Sequence, residues 1–211
     1  MSKKKLAFEI HHFSGKEPWN DYISIAMLHK HAIVEGFLST FSNRILAELY
    51  RSIASSKHSS LFVSKDDSGD ILGFIAISFS TSSFYKDFLL GKGLLLSPLL
   101  IFKIFSISFL KKLFETIFYP TRKNESDSID SEILNFCVAE KCRGQGIGRL
   151  LFSSAEEEFV NNSVDEIKIV TGIDQKAAQR FYERFGAQLV GNVEVHKNTE
   201  SLIYNYKLVK K

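Results

Sequence analysis

A glycine-rich stretch between a strand-like and a helix-like segment constrains this chain more than any other feature. It reads Val138-Ala-Glu-Lys-Cys-Arg-Gly-Gln-Gly-Ile-Gly-Arg149, with three glycines at a spacing of two. Glycine adopts the positive φ angles that let neighbouring backbone N–H groups converge on one anion, and it lets a ligand come close. The apolar run 133–138 predicts a strand, and the amphipathic run 146–160 predicts a helix whose amino end favours negative charge. Together they predict a diphosphate-binding loop.

The glycine spacing excludes two common phosphate-binding loops. A P-loop continues with Gly-Lys-Ser/Thr, which is missing here. The dinucleotide fingerprint opens a βαβ unit and is followed by a ribose-binding acid, for which Asp174 lies too far downstream. The pattern of Arg143, Gly146 and Gly148 instead resembles the R/Q-x-x-G-x-G/A loop of the GCN5-related N-acetyltransferase (GNAT) family.

A second segment carries the same resemblance. The run Ala177-Ala-Gln-Arg-Phe-Tyr-Glu-Arg-Phe-Gly186 is similar to the family's late helix, N-x-x-A-x-x-x-Y-x-x-x-G-F. Gln175 stands where asparagine often opens that helix. Ala187 stands where phenylalanine is usual, a change of packing more than of chemistry. The resemblance covers residues 130–209 well and residues 1–80 in outline.

The order of the predicted elements fits this family. Strands at 6–13, 61–65 and 70–79 and helices at 20–33 and 36–53 precede the glycine loop; strands at 166–171, 189–195 and 202–209 and a helix at 175–185 follow it. We therefore expect an α/β (α+β) fold of the GNAT type, with a mixed, mostly antiparallel central sheet flanked by helices. We expect one acetyltransferase domain over residues 1–211.

An apolar helical insertion is predicted at 84–119, between strands three and four. Residues 93–110 are nearly all apolar, at the short limit for a membrane span, but Pro98 and Lys103 interrupt them. The insertion is a helical hairpin over the acceptor pocket, an interfacial membrane helix or homodimer contact through 93–118, or extra core. The expected location is therefore cytoplasmic, with peripheral attachment at the inner membrane face as the alternative.

Composition narrows the partners. A formal net charge of +3 without a basic stripe argues against nucleic acid. Two cysteines cannot form a disulfide framework and favour a reducing compartment. No Cys/His cluster has zinc spacing, so no metal is expected.

The resemblance implies acetyl-CoA as co-substrate. Its diphosphate would be held by the loop, and its pantetheine arm would lie beside strand four. Tyr182 would be the acid that protonates the leaving thiolate. The implied cofactor-binding residues are Phe136, Cys137, Val138, Arg143, Gly144, Gln145, Gly146, Ile147, Gly148, Arg149 and Gln175.

The sequence patterns that indicate the acceptor-binding residues are less specific than the glycine-rich loop. Glu132, at the start of strand four, is the predicted general base, and Asn135, Glu194 and His196 are the predicted substrate-binding residues; a histidine has a suitable pKa near neutrality. The family resemblance implies transfer of an acetyl group from acetyl-CoA to a primary amine by direct attack. The Gly36-Phe-Leu-Ser-Thr-Phe helix start, the apolar insertion and the Glu-x-His end of strand six resemble bacterial acetyltransferases of surface-polysaccharide pathways, which implies a nucleotide-linked amino sugar as acceptor. The alternatives are a small-molecule or antibiotic amine acetyltransferase, and a non-catalytic acetyl-CoA-binding module.

Overall fold

The computed structural model describes residues 7–33, 37–88, 129–196 and 199–209. The chain divides into two compact units: Met1–Phe79 with Ile133–Ser163, and Ser80–Glu132 with Val164–Lys211. Residues 89–119 of the predicted helical insertion lie outside the described residues, and with them the predicted membrane or dimer contact through 93–118. The single domain over 1–211 stays a prediction.

The first unit contains strands in the order β1-β2-β3-β4. They are β1 (Phe8–Phe13), β2 (Ser59–Asp66), β3 (Ile71–Ser78) and β4 (Glu132–Val138), whose first residue belongs to the second unit. The β1–β2 and β2–β3 pairs are antiparallel. The Asp66 carboxylate accepts hydrogen bonds from the N–H groups of Ser68 and Asp70 at 3.0 and 2.9 Å. This closes the predicted β2–β3 hairpin.

Helices complete the first unit, and one of them begins later than predicted. They are α1 (Trp19–Ala32), a 3-10 helix (Phe37–Thr40), α2 (Asn43–Ser55), a 3-10 helix (Glu140–Cys142) and α4 (Ile147–Asn161). The prediction of one helix over 36–53 is wrong. Ser42 opens α2 by accepting a hydrogen bond from the Ile45 N–H at 3.4 Å. The face that α2 buries is carried by Leu46, Leu49, Tyr50 and Ile53.

A buried polar pair joins α1 to α2. His29 Nδ1 lies 2.5 Å from the Tyr50 hydroxyl, and both side chains are buried. Burial lowers the pKa of His29 to about 4, so the ring is neutral at pH 7. Its Nε2 has no hydrogen-bond partner among the described residues.

The second unit contains α3 (Thr81–Phe88), β5 (Glu166–Gly172), α5 (Lys176–Arg184), β6 (Gln188–His196) and β7 (Thr199–Lys207). Strand β7 lies between β5 and β6 and pairs antiparallel with both. In β5 the side chains of Ile167, Ile169 and Thr171 are buried, as expected for an alternating strand.

The fold class is confirmed. The β1–β2, β2–β3, β5–β7 and β6–β7 pairs are all antiparallel, and helices flank them in a mixed α/β arrangement. In the described ranges, no helix combines the length and the apolar character that crossing a bilayer requires.

Candidate active site

The glycine-rich loop joins β4 to α4 in the first unit. Gly144 and Gly146 have φ angles of +76° and +90°, and Gly146 is the N-cap of α4. The helical hydrogen bonds begin with the Leu150 N–H donating to the Gly146 carbonyl at 3.1 Å. The N–H groups of the first helical turn therefore have no partner within the helix and point towards its amino end.

The two loop glycines with positive φ lie next to open space. A Cβ added at Gly144 or Gly146 would meet no atom within 4 Å. Arg143 and Arg149 are exposed, whereas Ile147 is buried and anchors the first turn. Arg143 Nε donates a hydrogen bond to the Val138 carbonyl at 3.3 Å, which holds the guanidinium beside the loop. Residues 143–149 thus combine two exposed arginines with the positive end of a helix, features that favour the binding of an anion.

Two other predicted loop residues take different positions. Gln145 is exposed, and its Nε2 donates a hydrogen bond to the Lys141 carbonyl at 3.3 Å. Gly148 is half-buried within the first turn of α4. Residues 143–149, the loop predicted from the sequence, thus lead without interruption into the first turn of α4.

The end of β4 is fixed against β3 just before this loop. A Cβ on Gly73 of β3 would lie 2.8 Å from the Cys137 carbonyl oxygen and 3.3 Å from Val138 Cα. Only glycine allows this approach. Phe136 and Val138 are half-buried, whereas Cys137 is buried. Burial raises the pKa of the Cys137 thiol to about 12, with Arg143 opposing the rise, so the thiol is neutral at pH 7.

Glu132 of the second unit has an environment suited to a base. Its Oε2 lies 3.0 Å from Lys168 Nζ, and the side chains of Glu132 and Lys168 are 18% and 29% exposed. Burial raises the pKa of Glu132, Lys168 opposes the rise, and the charge of Asp130 adds to it. A raised pKa brings a carboxylate nearer to the pH at which it must accept a proton.

Helix α5 carries Tyr182 and a buried glutamine that the sequence did not single out. Tyr182 is 5% exposed, and its ring packs edge-on against Phe181 at 5.6 Å between centroids. Gln179 is buried, and its Nε2 donates hydrogen bonds to the carbonyls of Gly172 and Ile173, both at 2.9 Å. These bonds tie the first turn of α5, the turn before the one that carries Tyr182, to the end of β5. The sequence signal that could have identified Gln179 is a polar residue on the apolar face of a helix.

Gln175, which departs from the family's asparagine, is partly engaged within the chain. It is exposed at the N-cap of α5, and its Oε1 accepts a hydrogen bond from Thr171 Oγ1 at 2.9 Å. The carbonyl half of the amide is therefore directed to β5.

The predicted acceptor residues lie on two strands. Asn135 is half-buried in β4. Glu194 and His196 belong to β6, where their backbones are in register with Glu200 and Thr199 of β7. Within the part of the chain that the structure describes, no group of three or more His, Cys, Asp or Glu residues could hold a metal ion.

Known proteins resemble this chain in sequence pattern and in fold. The model of the acetyltransferase (GNAT) family matches residues 30–187, more than half of the chain. No curated protein matches the sequence.

Three solved structures illustrate the likeness. Ard1 from Thermoplasma volcanium is 15% identical, with 97% of this chain and 100% of that chain covered and a TM-score of 0.62. The ribosomal-protein-S18-alanine N-acetyltransferase from Escherichia coli is 11% identical, with coverage of 97% and 96% and a TM-score of 0.59. A GNAT family acetyltransferase from Elizabethkingia anophelis with acetyl-CoA bound is 16% identical, with coverage of 95% and 98% and a TM-score of 0.53. At these identities the likeness shows the fold.

Proposed function

The chain belongs to the acetyltransferase (GNAT) family, and we propose that it moves the acetyl group of acetyl-CoA directly onto a primary amine, that of a nucleotide-linked amino sugar. The observation that carries this proposal is the loop between β4 and α4. Its two glycines have positive φ and open space around an added Cβ, the second glycine is the N-cap of α4, and Arg143 and Arg149 in the same stretch are exposed.

A diphosphate is the ligand that this loop fits. The anion would receive hydrogen bonds from the N–H groups of the first turn of α4 and charge from Arg143 and Arg149. A single 3-10 turn joins β4 to the loop, so an extended pantetheine arm bound to the same diphosphate would lie along residues 136–138. A backbone N–H there would stabilise the developing oxyanion, an effect of about 3–4 kcal/mol in other enzymes.

The proton transfers are assigned to two residues. Glu132 takes one proton from the acceptor ammonium, and the neutral amine then attacks the thioester carbonyl. The C–N bond forms and the C–S bond breaks, the nitrogen loses its second proton to solvent, and the thiolate takes a proton from the Tyr182 hydroxyl. The partial burial of Glu132 and its raised pKa support its role as the base.

Direct attack is supported by the state of the Cys137 thiol. A covalent acetyl-cysteine intermediate requires a thiolate, because the thiolate is the nucleophilic form. Cys137 is buried and its pKa of about 12 keeps it protonated. The amine itself is therefore assigned as the nucleophile.

The acceptor is the finer part of the proposal. The residues predicted from the sequence to bind the acceptor are Asn135, Glu194 and His196, and amide, carboxylate and imidazole groups form hydrogen bonds with sugar hydroxyls and amines. Thiol release from acetyl-CoA should be measured against nucleotide-linked amino sugars, aminoglycosides, polyamines and peptides. Turnover with another class of amine would replace the amino sugar as the proposed acceptor. Tight acetyl-CoA binding without thiol release would favour the non-catalytic acetyl-CoA-binding module.

The cofactor loop is tested separately by Arg143→Ala. Losing a charge-assisted contact to the diphosphate costs about 1.5–3 kcal/mol, so KM for acetyl-CoA should rise about 10- to 100-fold with kcat little changed. Lys141→Ala is the matched control, because Lys141 is also exposed and positive but lies in the 3-10 helix before the loop. An equal rise in both variants would reduce the effect to general electrostatics and contradict the assigned site.

A further inference from the structure

A lysine on β5 contacts the residue assigned as the base. Lys168 Nζ lies 3.0 Å from Glu132 Oε2. The Lys168 N–H also donates to the Ser131 carbonyl at 2.9 Å. Backbone and side chain of Lys168 therefore bind two consecutive residues, Ser131 and Glu132, and fix the carboxylate at the start of β4.

A second carboxylate near this lysine is already occupied. Asp130 accepts hydrogen bonds from Ser80 Oγ and Ser82 Oγ, both at 2.7 Å, and from the Ser82 N–H at 2.9 Å. Burial alone would raise the pKa of Asp130, but the hydrogen bonds from Ser80 and Ser82, with the charge of Lys168, lower it. Asp130 thus stays ionised at the amino end of α3, and its charge makes ionisation of Glu132 harder.

Among the described residues, α3 supplies another ionisable neighbour of Glu132, Tyr85. Burial and the charge of Glu132 raise the pKa of the Tyr85 hydroxyl, which therefore stays protonated. Burial and the charge of Asp130 both raise the pKa of Glu132, and the neutral Tyr85 does not offset this rise. Among these neighbours, Lys168 is the one cation that lowers the pKa of Glu132.

We propose that Lys168 is a positioning residue for acetyl transfer, which keeps the Glu132 carboxylate oriented and ionised so that it can accept the proton of the acceptor ammonium. This rests on the proposed role of Glu132 as base. The physical reason is that a partly buried carboxylate beside another negative charge tends to take up a proton. A protonated Glu132 could not act as a base.

The test compares Lys168→Met with Lys168→Arg in the purified full chain. Methionine removes the charge at similar length, and arginine keeps it. In the pH dependence of kcat/KM for the amine acceptor, Lys168→Met should move the acidic limb upward by about one pH unit, which lowers kcat/KM about tenfold on that limb. Lys168→Arg should leave the limb in place. KM for acetyl-CoA should not change in either variant.

A merely structural role for Lys168 predicts something different. It would lower activity by the same factor at every pH and leave the limb unmoved, which would overturn the inference. Lys168→Arg is the control for misfolding, because arginine at this position keeps the ion pair with Glu132.

A direct titration needs no acceptor. Carboxyl ¹³C NMR of glutamate-labelled protein, with the Glu132 signal identified by its absence in Glu132→Gln, reports the midpoint of Glu132 itself. The midpoint should be higher in Lys168→Met than in wild type, and equal midpoints would overturn the inference.

Failure of the inference and failure of the proposed function are distinguishable. If Glu132→Gln is as active as wild type, Glu132 is not the base, and the proposed mechanism fails whatever Lys168 does. If Glu132→Gln is inactive while the Glu132 midpoint and the acidic limb ignore Lys168, the base assignment stands and Lys168 has no positioning role.

Discussion

Replacing Gly146 by alanine tests the diphosphate loop with a change of one methyl group. Gly146 has a φ of +90°, and an added Cβ would meet no protein atom within 4 Å. The only cost to the free protein is therefore the left-handed backbone, about 1 kcal/mol for alanine. For a chain of 211 residues this corresponds to a fall in Tm of roughly 2–4 °C.

The same methyl group should have a larger effect on the cofactor. It would project into the open space in front of the amino end of α4, where the diphosphate is proposed to bind. Displacing the anion from one charge-assisted hydrogen bond costs about 1.5–3 kcal/mol, which raises KM for acetyl-CoA by about 10- to 100-fold. Because this contact is the same in ground and transition states, kcat should stay close to that of wild type.

Gly69→Ala is the matched control. Gly69 lies in the β2–β3 turn with a φ of +84° and equally open surroundings. Its φ is close to the +90° of Gly146, so the two alanine variants should carry similar backbone strain, and any gain from a stiffer unfolded chain is shared by both variants. Differential scanning fluorimetry and acetyl-CoA titration of thiol release separate the two effects. If Gly146→Ala loses the same thermal stability as Gly69→Ala but keeps a wild-type KM, the loop does not hold the diphosphate.

Three further predictions address the acid, the core and acid stability. Tyr182→Phe should lower kcat with little change in KM for acetyl-CoA, and a fully active variant removes Tyr182 from the role of acid. Gly73→Ala should destabilise by about 1–3 kcal/mol in urea unfolding, since its Cβ would lie 2.8 Å from the Cys137 carbonyl oxygen; Gly191→Ala, with no atom within 4 Å of its added Cβ, should cost less. Because burial lowers the pKa of His29 to about 4, below its unfolded value of about 6.5, the free energy of unfolding should fall as pH is lowered from about 6.5 to about 4, by up to about 3 kcal/mol. His29→Gln should flatten this fall, and an unchanged slope would contradict the assignment.

Elements governed by local chemistry were predictable from the sequence. The β2–β3 hairpin follows from a turn in which Asp66 binds backbone N–H groups two and four residues ahead. The start of α2 was missed because the apolar repeat from Phe37 onward continues through a helix break. Ser42, a preferred N-cap residue, was the local signal that marks the true beginning.

The conformation of the glycine-rich loop was predictable for the same reason. All its residues lie in one stretch, so the order of residues alone brings Arg143, the glycines and the amino end of α4 together. Gln179 was missed because helical periodicity identifies a buried face without saying which backbone groups a polar side chain will meet there. Its partners, the carbonyls of Gly172 and Ile173, belong to the end of the preceding strand.

The Glu132–Lys168 ion pair could not be predicted from the sequence, for a different physical reason. Alternation along β5 assigns Ile167 and Ile169 to the buried face and Lys168 to the opposite one, where a lysine is ordinarily solvated. What changes its environment is register: the bond from the Lys168 N–H to the Ser131 carbonyl brings its side chain beside Glu132. A slip of one residue would turn Lys168 to the other face and leave Glu132 without its cation. Periodicity reports the face of each residue but carries no information on register between strands that are distant in sequence. For this reason the residue that sets the charge of the proposed base emerges only from the structure.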